Sequence, residues 1–379
     1  MSSKIEFVDR AKRPGANVSA LCREFEIARQ TGHKWLKRFE QHGYAGLEEE
    51  SRRPKSSPLS TAEEIVAALL ALRAEHPRWG PKKLTIVLRR TLGPDTPSQR
   101  TVDRILRRFG QVRLRRKKRG LSIVERAPDE TAATSNDIWT IDFKGWWRTG
   151  NGSRSEPLTI RDAYSRFVLT IKLMKGTKGE PVRKEMTRLF RRYGIPKAIQ
   201  CDNGSPFISS QSMAGLTQLS AWWVSLGIRI VRSRPGCPQD NGAHERMHVD
   251  VAGDLQFAPE QTLVAQQRAC DRWRQTFNHV RPHEALGGKV PADLYKPSPT
   301  AVRPKPLTYP SGWIVRSMSS NGSISIDGEE YFISTALAGY RVGLAPHRGM
   351  KWRVWLYDME LGEIELAQLS AVQVDRMAS

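Results

Sequence analysis

The chain has 379 residues and a mean hydropathy of -0.51, which suits a soluble globular protein of two to four domains with ample core. Its longest apolar run, residues 65–72, is too short to span a bilayer, and residues 1–15 contain no apolar segment of a secretory signal. Cys22, Cys201, Cys237 and Cys270 show no CxxC spacing, so a disulfide frame and a zinc ribbon are both set aside in favour of free thiols in a reducing cytoplasm.

The net charge is +22, and it is unevenly spread: residues 1–120 hold 28 basic and 13 acidic residues, so +15 of the excess lies in the first third. A localised excess of this size favours a polyanionic partner, most simply nucleic acid.

In chain order, residues 18–42 alternate two helical segments around a tight turn. Val18, Leu21, Cys22 and Phe25 recur at helical spacing, and Trp35, Leu36 and Phe39 line one face of the second segment. The pattern predicts a helix-turn-helix within residues 1–50. Arg29, Gln30, Thr31, His33, Lys34 and Lys37 lie on the helix that would enter the major groove. The Pro/Ser-rich stretch 51–60 reads as a linker.

Residues 61–120 predict a second such module. Residues 61–75 are amphipathic, Trp79-Gly80-Pro81 breaks the pattern, and Ser98 caps a recognition helix that ends at Gly110. Gln99, Arg100 and Arg104 are its candidate DNA contacts. Arg113, Arg115, Arg116, Lys117, Lys118 and Arg119 follow as a basic tail suited to DNA phosphates. A polar connector spans 121–136.

From residue 137 the pattern changes to strands. Residues 138–147, 155–166 and 167–175 read as three strands. A helix over 181–194 is closed by Gly194. A short strand then runs into Asp202-Asn203-Gly204, and residues 215–226, 228–235 and 243 onward read as helix, strand and helix. Three strands followed by alternating helix and strand predict a mixed-sheet α/β core over 137–297. A Pro-rich linker over 298–306 leads to a small, barrel-like, all-β domain over 307–379. That domain contains a hairpin turning at Asp327-Gly328.

Three carboxylates stand out. Asp142 interrupts an apolar strand, where a lone charge is costly unless it is paired or metal-bound. Asp202 sits at a strand end, the usual place for sites in open α/β sheets, although Asp-Asn-Gly also suits a plain turn. Glu245 opens a helix, where a surface glutamate would be unremarkable by itself. Brought together, the three would repel one another and call for Mg²⁺ or Mn²⁺. Two such ions can activate an attacking oxygen and stabilise a leaving one. A competing reading takes His244, Glu245 and His248 as H-E-x-x-H, a zinc-protease motif, with His279, His283 or Glu284 available as a third ligand.

The segments "WTIDF", "DAYSRFV", "CDNGSPF", "RPGCPQDNGAHER" and "FNHVRPHEALGGKVPADLY" resemble bacterial insertion-sequence transposases of the DDE, retroviral-integrase superfamily. The block from Leu21 to Pro54 resembles their N-terminal helix-turn-helix. The resemblance covers about residues 15–297. It implies a ribonuclease H-like core and assigns Asp142, Asp202 and Glu245 as catalytic metal ligands for two Mg²⁺ ions. It also implies cleavage at terminal inverted repeats, joining of the 3′-OH ends to target DNA, and a homo-oligomer working on DNA in the bacterial cytoplasm. Forty-two residues separate Asp202 from Glu245, a long gap whose excess is expected near residues 209–220. Asp162 is expected to support a strand end and Asp240 to cap a turn. Lys144, Arg232 and Arg234 are candidate phosphate contacts, and His244 and His248 either contact DNA phosphate or flank the site. Asn278, Arg281 and His283 resemble family positions, with the plainer reading that Arg281-Pro282 starts a turn that Asn278 caps. A DNA-binding regulator with an inactive core is the alternative from another class.

Overall fold

The computed structural model describes residues 3–49, 60–112, 131–210, 212–234, 238–299 and 302–366. The chain divides into two compact units, residues 1–63 and 64–379. The basic tail Arg113–Arg119 and most of the 51–60 linker lie outside the described residues.

The first unit is a three-helix module: α1 (Ser3–Ala11), α2 (Val18–Glu24) and α3 (Arg29–His42). Asn17 caps α2 by accepting from the amides of Ser19 and Ala20. The core is Phe7, Val8, Leu21, Cys22 and Leu47, with Trp35 and Phe39 packed against it. The sequence pattern did not announce α1, yet it supplies the fully buried Phe7, whose ring meets Phe25 and Trp35 edge-on. Gly32 lets α3 approach closely: a Cβ there would lie 2.6 Å from Cys22 Sγ and 2.8 Å from Phe7 Cζ.

The second unit opens with three helices: α4 (Glu63–Glu75), α5 (Pro81–Leu92) and α6 (Gln99–Arg108). Pro81 starts α5, and Ser98 caps α6 through the Thr101 amide, as its sequence position predicted. Leu69, Trp79, Leu84, Leu88, Val102, Ile105 and Leu106 form their core.

A mixed sheet follows. Its strands are β1 (Ile138–Phe143), β2 (Trp147–Arg148), β3 (Arg154–Asp162), β4 (Val168–Met174), β5 (Ala198–Cys201) and β6 (Arg229–Arg232). β1 is antiparallel to β3 and parallel to β5, β6 is parallel to β5, and β4 pairs the other edge of β3. β3 is buried along all but its first residue, which requires cover on both faces. On one face α7 (Gly179–Tyr193) and α8 (Gln218–Ser225) pack Val182, Met186, Leu189, Phe190, Trp222 and Trp223 against Trp139, Ile141, Leu158 and Ile160. On the other face α9 (Gly242–Val251), a π-helical turn (Ala252–Gln256) and α10 (Leu263–His279) bring Met247, Val251, Leu255, Ala269 and Phe277 onto Val168 and Ile171. This is an α/β/α ribonuclease H-like core.

The C-terminal part contains β7 (Ile314–Ser317), β8 (Ser323–Ile326), β9 (Glu329–Phe332), β10 (Arg341–Pro346), β11 (Lys351–Leu356) and β12 (Met359–Glu365). Four strands form an open antiparallel sheet ordered β12-β11-β10-β7, and β8 pairs with β9 as a hairpin turning at Asp327-Gly328. The sheet has no private core: Ile314, Val342, Leu344, Val354 and Leu356 pack with Leu216, Ala221 and Val224. Residues 208–216 close a small loop through an Ile208–Leu216 bridge, and Met213 and Leu216 pack on the C-terminal strands. Among the described residues no helix is long and apolar enough to cross a membrane.

Candidate active site

The parallel pairing of β1 with β5 matches Thr140 to Gln200. Two residues further along each strand stand Asp142 and Asp202, on neighbouring strands about 5 Å apart at the C-terminal edge of the sheet. The Asp202 turn is fixed locally: Asp202 Oδ1 accepts from the Gly204 amide at 3.2 Å, and Asn203 Nδ2 donates to the Ser233 carbonyl at 3.0 Å.

Alternation along the strands sends Thr140, Asp142, Thr159 and Arg161 to the face covered by α9. α9 is held there by polar contacts. His244 is 1% exposed; Thr140 Oγ1 lies 2.7 Å from its Nδ1 and Thr159 Oγ1 2.7 Å from its Nε2. Thr159 Oγ1 is also 2.7 Å from His248 Nε2, and His248 Nδ1 faces Asp142 Oδ2 at 3.7 Å. Arg161 donates to the Ala243 carbonyl at 2.6 Å, and Gln200 Nε2 to the Asp240 carbonyl at 3.0 Å. With its first turn anchored in this way, α9 carries Glu245 exposed at the edge of the carboxylate pair.

Electrostatics links the three acids. Burial, then Asp202, then Glu245 push the Asp142 carboxyl up to about 7, against the Phe143 amide and Lys144, which favour its charge. Burial pushes His244 well below the usual imidazole range and His248 down to about 3, so both are neutral at pH 7.

These contacts correct several expectations. Both His244 ring nitrogens are engaged by threonine hydroxyls, which leaves no lone pair for zinc. Glu284 pairs with Lys82 at 2.5 Å, and His283 Nε2 faces the Phe277 carbonyl at 3.4 Å. The H-E-x-x-H spacing therefore reflects a helix face buried on a polar strand surface, and the zinc-protease reading falls. Buried as they are, His244 and His248 do not meet DNA phosphate. Arg232 and Arg234 are engaged within the protein: Arg232 donates to the Ala214 carbonyl, and Arg234 makes a bidentate pair with Asp240 at 2.7 and 3.0 Å. Asp162 braces its strand end by accepting from the amides of Asn136 and Ser165. Asn278 caps no turn; it bridges the amide and carbonyl of Val168 on β4. Arg281 pairs with buried Asp250 at 2.5 Å. Sequence reasoning missed Thr140, Thr159, Arg161 and Asp250, because their partners lie far away in the chain.

The integrase core domain family matches this chain twice, over residues 132–238 and 226–291. A helix-turn-helix domain family matches residues 3–55 and a homeodomain-like domain family residues 31–106. An uncharacterized 31.7 kDa protein of insertion element IS407 from Burkholderia multivorans is 29% identical over 234 residues, covering 61% of this chain and 80% of its own length. Together these matches support an insertion-sequence transposase of the DDE, integrase superfamily. A 39.2 kDa protein of insertion element IS476 from Xanthomonas euvesicatoria is 27% identical over 254 residues, 66% of this transposase and 70% of that protein. The HTLV-2 integrase catalytic core domain, solved in complex with magnesium, aligns with a TM-score of 0.33 at 16% identity over 44% of the transposase and all of that chain.

The transposase presents Arg29, Gln30, His33, Lys34 and Lys37 on the exposed side of α3, whereas Thr31 is half-buried. Gln99, Arg100 and Arg104 are exposed on α6. For metal, the available donors are three carboxylates, with Asp142 raised by burial and then by the charges of Asp202 and Glu245, and oxygen donors of this kind suit a hard divalent cation. Among the described residues no three His, Cys, Asp or Glu side chains are gathered tightly enough to form one ion's cage. Glu245 on the first turn of α9 and Asp202 are both exposed.

Proposed function

We propose that this transposase cuts DNA at the terminal inverted repeats of its element and joins the freed 3′-OH ends to target DNA, with Asp142, Asp202 and Glu245 as the catalytic carboxylates. The observation that carries the reading is the elevated Asp142 carboxyl: a buried acid is kept beside two others at a cost in stability, where an apolar residue would pack better. Asp142, Asp202 and Glu245 would hold two Mg²⁺ ions. When bound, these supply Lewis-acid activation of the attacking and leaving oxygens in an in-line displacement at phosphorus.

The chain's own residues do the positioning. Asp142 and Asp202 are fixed by adjacent parallel strands. Thr140, Thr159 and Arg161 clamp the start of α9 so that Glu245 borders the same edge. His248, neutral and 3.7 Å from Asp142, adds no positive charge that would compete with metal. The exposed faces of α3 and α6 supply phosphate and base-edge contacts to double-stranded DNA. Joining two ends in concert calls for more than one copy of the chain on DNA, in the bacterial cytoplasm.

The test is strand cleavage and joining on DNA carrying the element ends, in Mg²⁺ against EDTA, with Asp202→Ala as control. Metal-dependent products from the wild type and none from the variant, with end binding intact in both, are expected. End binding without cleavage by the wild type would instead make the protein a regulator.

A further inference from the structure

β1 leaves the carboxylate edge through Lys144 and Gly145, and the two residues that follow are both tryptophan. Their fates differ. Trp147 pairs with Ser155 and is buried, whereas Trp146 points the opposite way and is 51% exposed. Two guanidinium groups lie over the Trp146 ring, with Arg154 Cζ 4.9 Å and Arg148 Cζ 5.8 Å from its centroid. Each is held in place: Arg148 donates to the Gly152 carbonyl at 2.8 Å and Arg154 to Glu156 at 3.2 Å. The β2–β3 hairpin beneath them is strapped to the core, since the amides of Gly150 and Asn151 donate to the carbonyls of Glu260 and Gln261 at 2.9 Å. The result is a half-exposed indole that carries guanidinium groups over part of its ring, on a hairpin tied to the core.

Trp146 follows Asp142 by four residues, so their Cα atoms are at most about 14 Å apart. That is about four base steps along a DNA strand at ~3.4 Å each. An exposed indole flanked by guanidinium groups suits a nucleobase that has left its stack, with the cations meeting the adjoining phosphates.

We propose that Trp146, bordered by Arg148 and Arg154, is the stacking surface for an unpaired base of the DNA next to the cleavage point. This rests on the reading of the chain as a DNA-cutting transposase and adds a site that the catalytic carboxylates do not require. Its role is to hold the strand after local unpairing, by a contact to the π-face of a base and so with little regard to which base it is.

The experiment uses the full chain in EDTA and two 12-mer single strands of equal charge, oligothymidylate and an abasic oligomer. Trp146→Ala is expected to weaken oligothymidylate binding about tenfold and to leave the abasic oligomer unchanged, whereas Trp146→Phe stays within about threefold of the wild type. Photo-crosslinking of a 5-iododeoxyuridine version is expected to map to Trp146. Unchanged oligothymidylate binding in Trp146→Ala, an equal loss on both strands, or crosslinks that map elsewhere each overturn the proposal. Binding in EDTA needs none of the carboxylates. A wild type with this base preference that never cuts in Mg²⁺ therefore defeats the cleavage reading alone, and one that cuts without the preference defeats the stacking surface alone.

Discussion

Replacing Asp142 with asparagine should make the protein more stable while abolishing cleavage. The carboxyl is pushed from the ordinary value of 3.8 up to about 7. A folded state that raises an acid's pKa holds its proton more tightly than the unfolded chain does. Stability from this group is therefore full below about pH 4 and is lost as pH rises through 7. At about 1.4 kcal/mol per pH unit the ceiling is about 4 kcal/mol above pH 7.5. The side chain is 20% exposed, and solvent access brings the expected gain of Asp142→Asn to about 2 kcal/mol. For a unit of this size that amounts to a rise in Tm of about 3 °C. Urea denaturation of both proteins at pH 4.5 and pH 8 checks it: the curves should nearly coincide at the lower pH and separate at the higher. Adding Mg²⁺ at pH 8 should stabilise the wild type and leave the variant almost unmoved, which narrows the gap. Equal stabilities at pH 8, or a less stable variant, would refute the idea that the acids are held against their repulsion.

Arg281→Ala strands Asp250 in a buried site and should cost about 3 kcal/mol in urea denaturation, with Arg281→Ala/Asp250→Asn recovering much of the loss; a loss under about 1 kcal/mol would mean that water screens the pair. Gly32→Ala drives a methyl into Cys22 and Phe7 and should destabilise the first unit by about 1–3 kcal/mol, read by thermal melting of residues 1–63. Lys34→Ala should lower the slope of log K against log salt for end binding by about 1, and an unchanged slope would remove Lys34 from the phosphate contacts. His244→Ala should leave the protein's zinc content unchanged while destabilising it by about 2–4 kcal/mol, because two buried threonine hydroxyls lose their partner.

Much of the core could be read in advance because its signals are local. Gly194 ends α7, Ser98 caps α6, and the strand runs differ from their surroundings in composition. Asp142 stood out as a charge inside an apolar strand and Asp202 as a strand-end residue. What could not be read is contact between distant residues. Thr140 and Thr159 look like ordinary strand formers until His244, 104 and 85 residues further on, comes to lie between them. α1 is short, and its place depends on Phe7 finding Phe25 and Trp35. The C-terminal strands read as a separate domain because sequence period reveals which residues are apolar but not which other segment covers them.

α8 is buried all round, with Trp222 and Trp223 turned to the sheet and Ala221 and Val224 to the C-terminal strands. A protein cut back to residue 306 would leave Ala221 and Val224 of α8, and Leu216 just ahead of it, open to water, and would tend to aggregate before its chemistry could be assayed. Mapping experiments on this transposase should therefore replace side chains and leave the tail in place. A fusion partner is better attached ahead of the first helix-turn-helix.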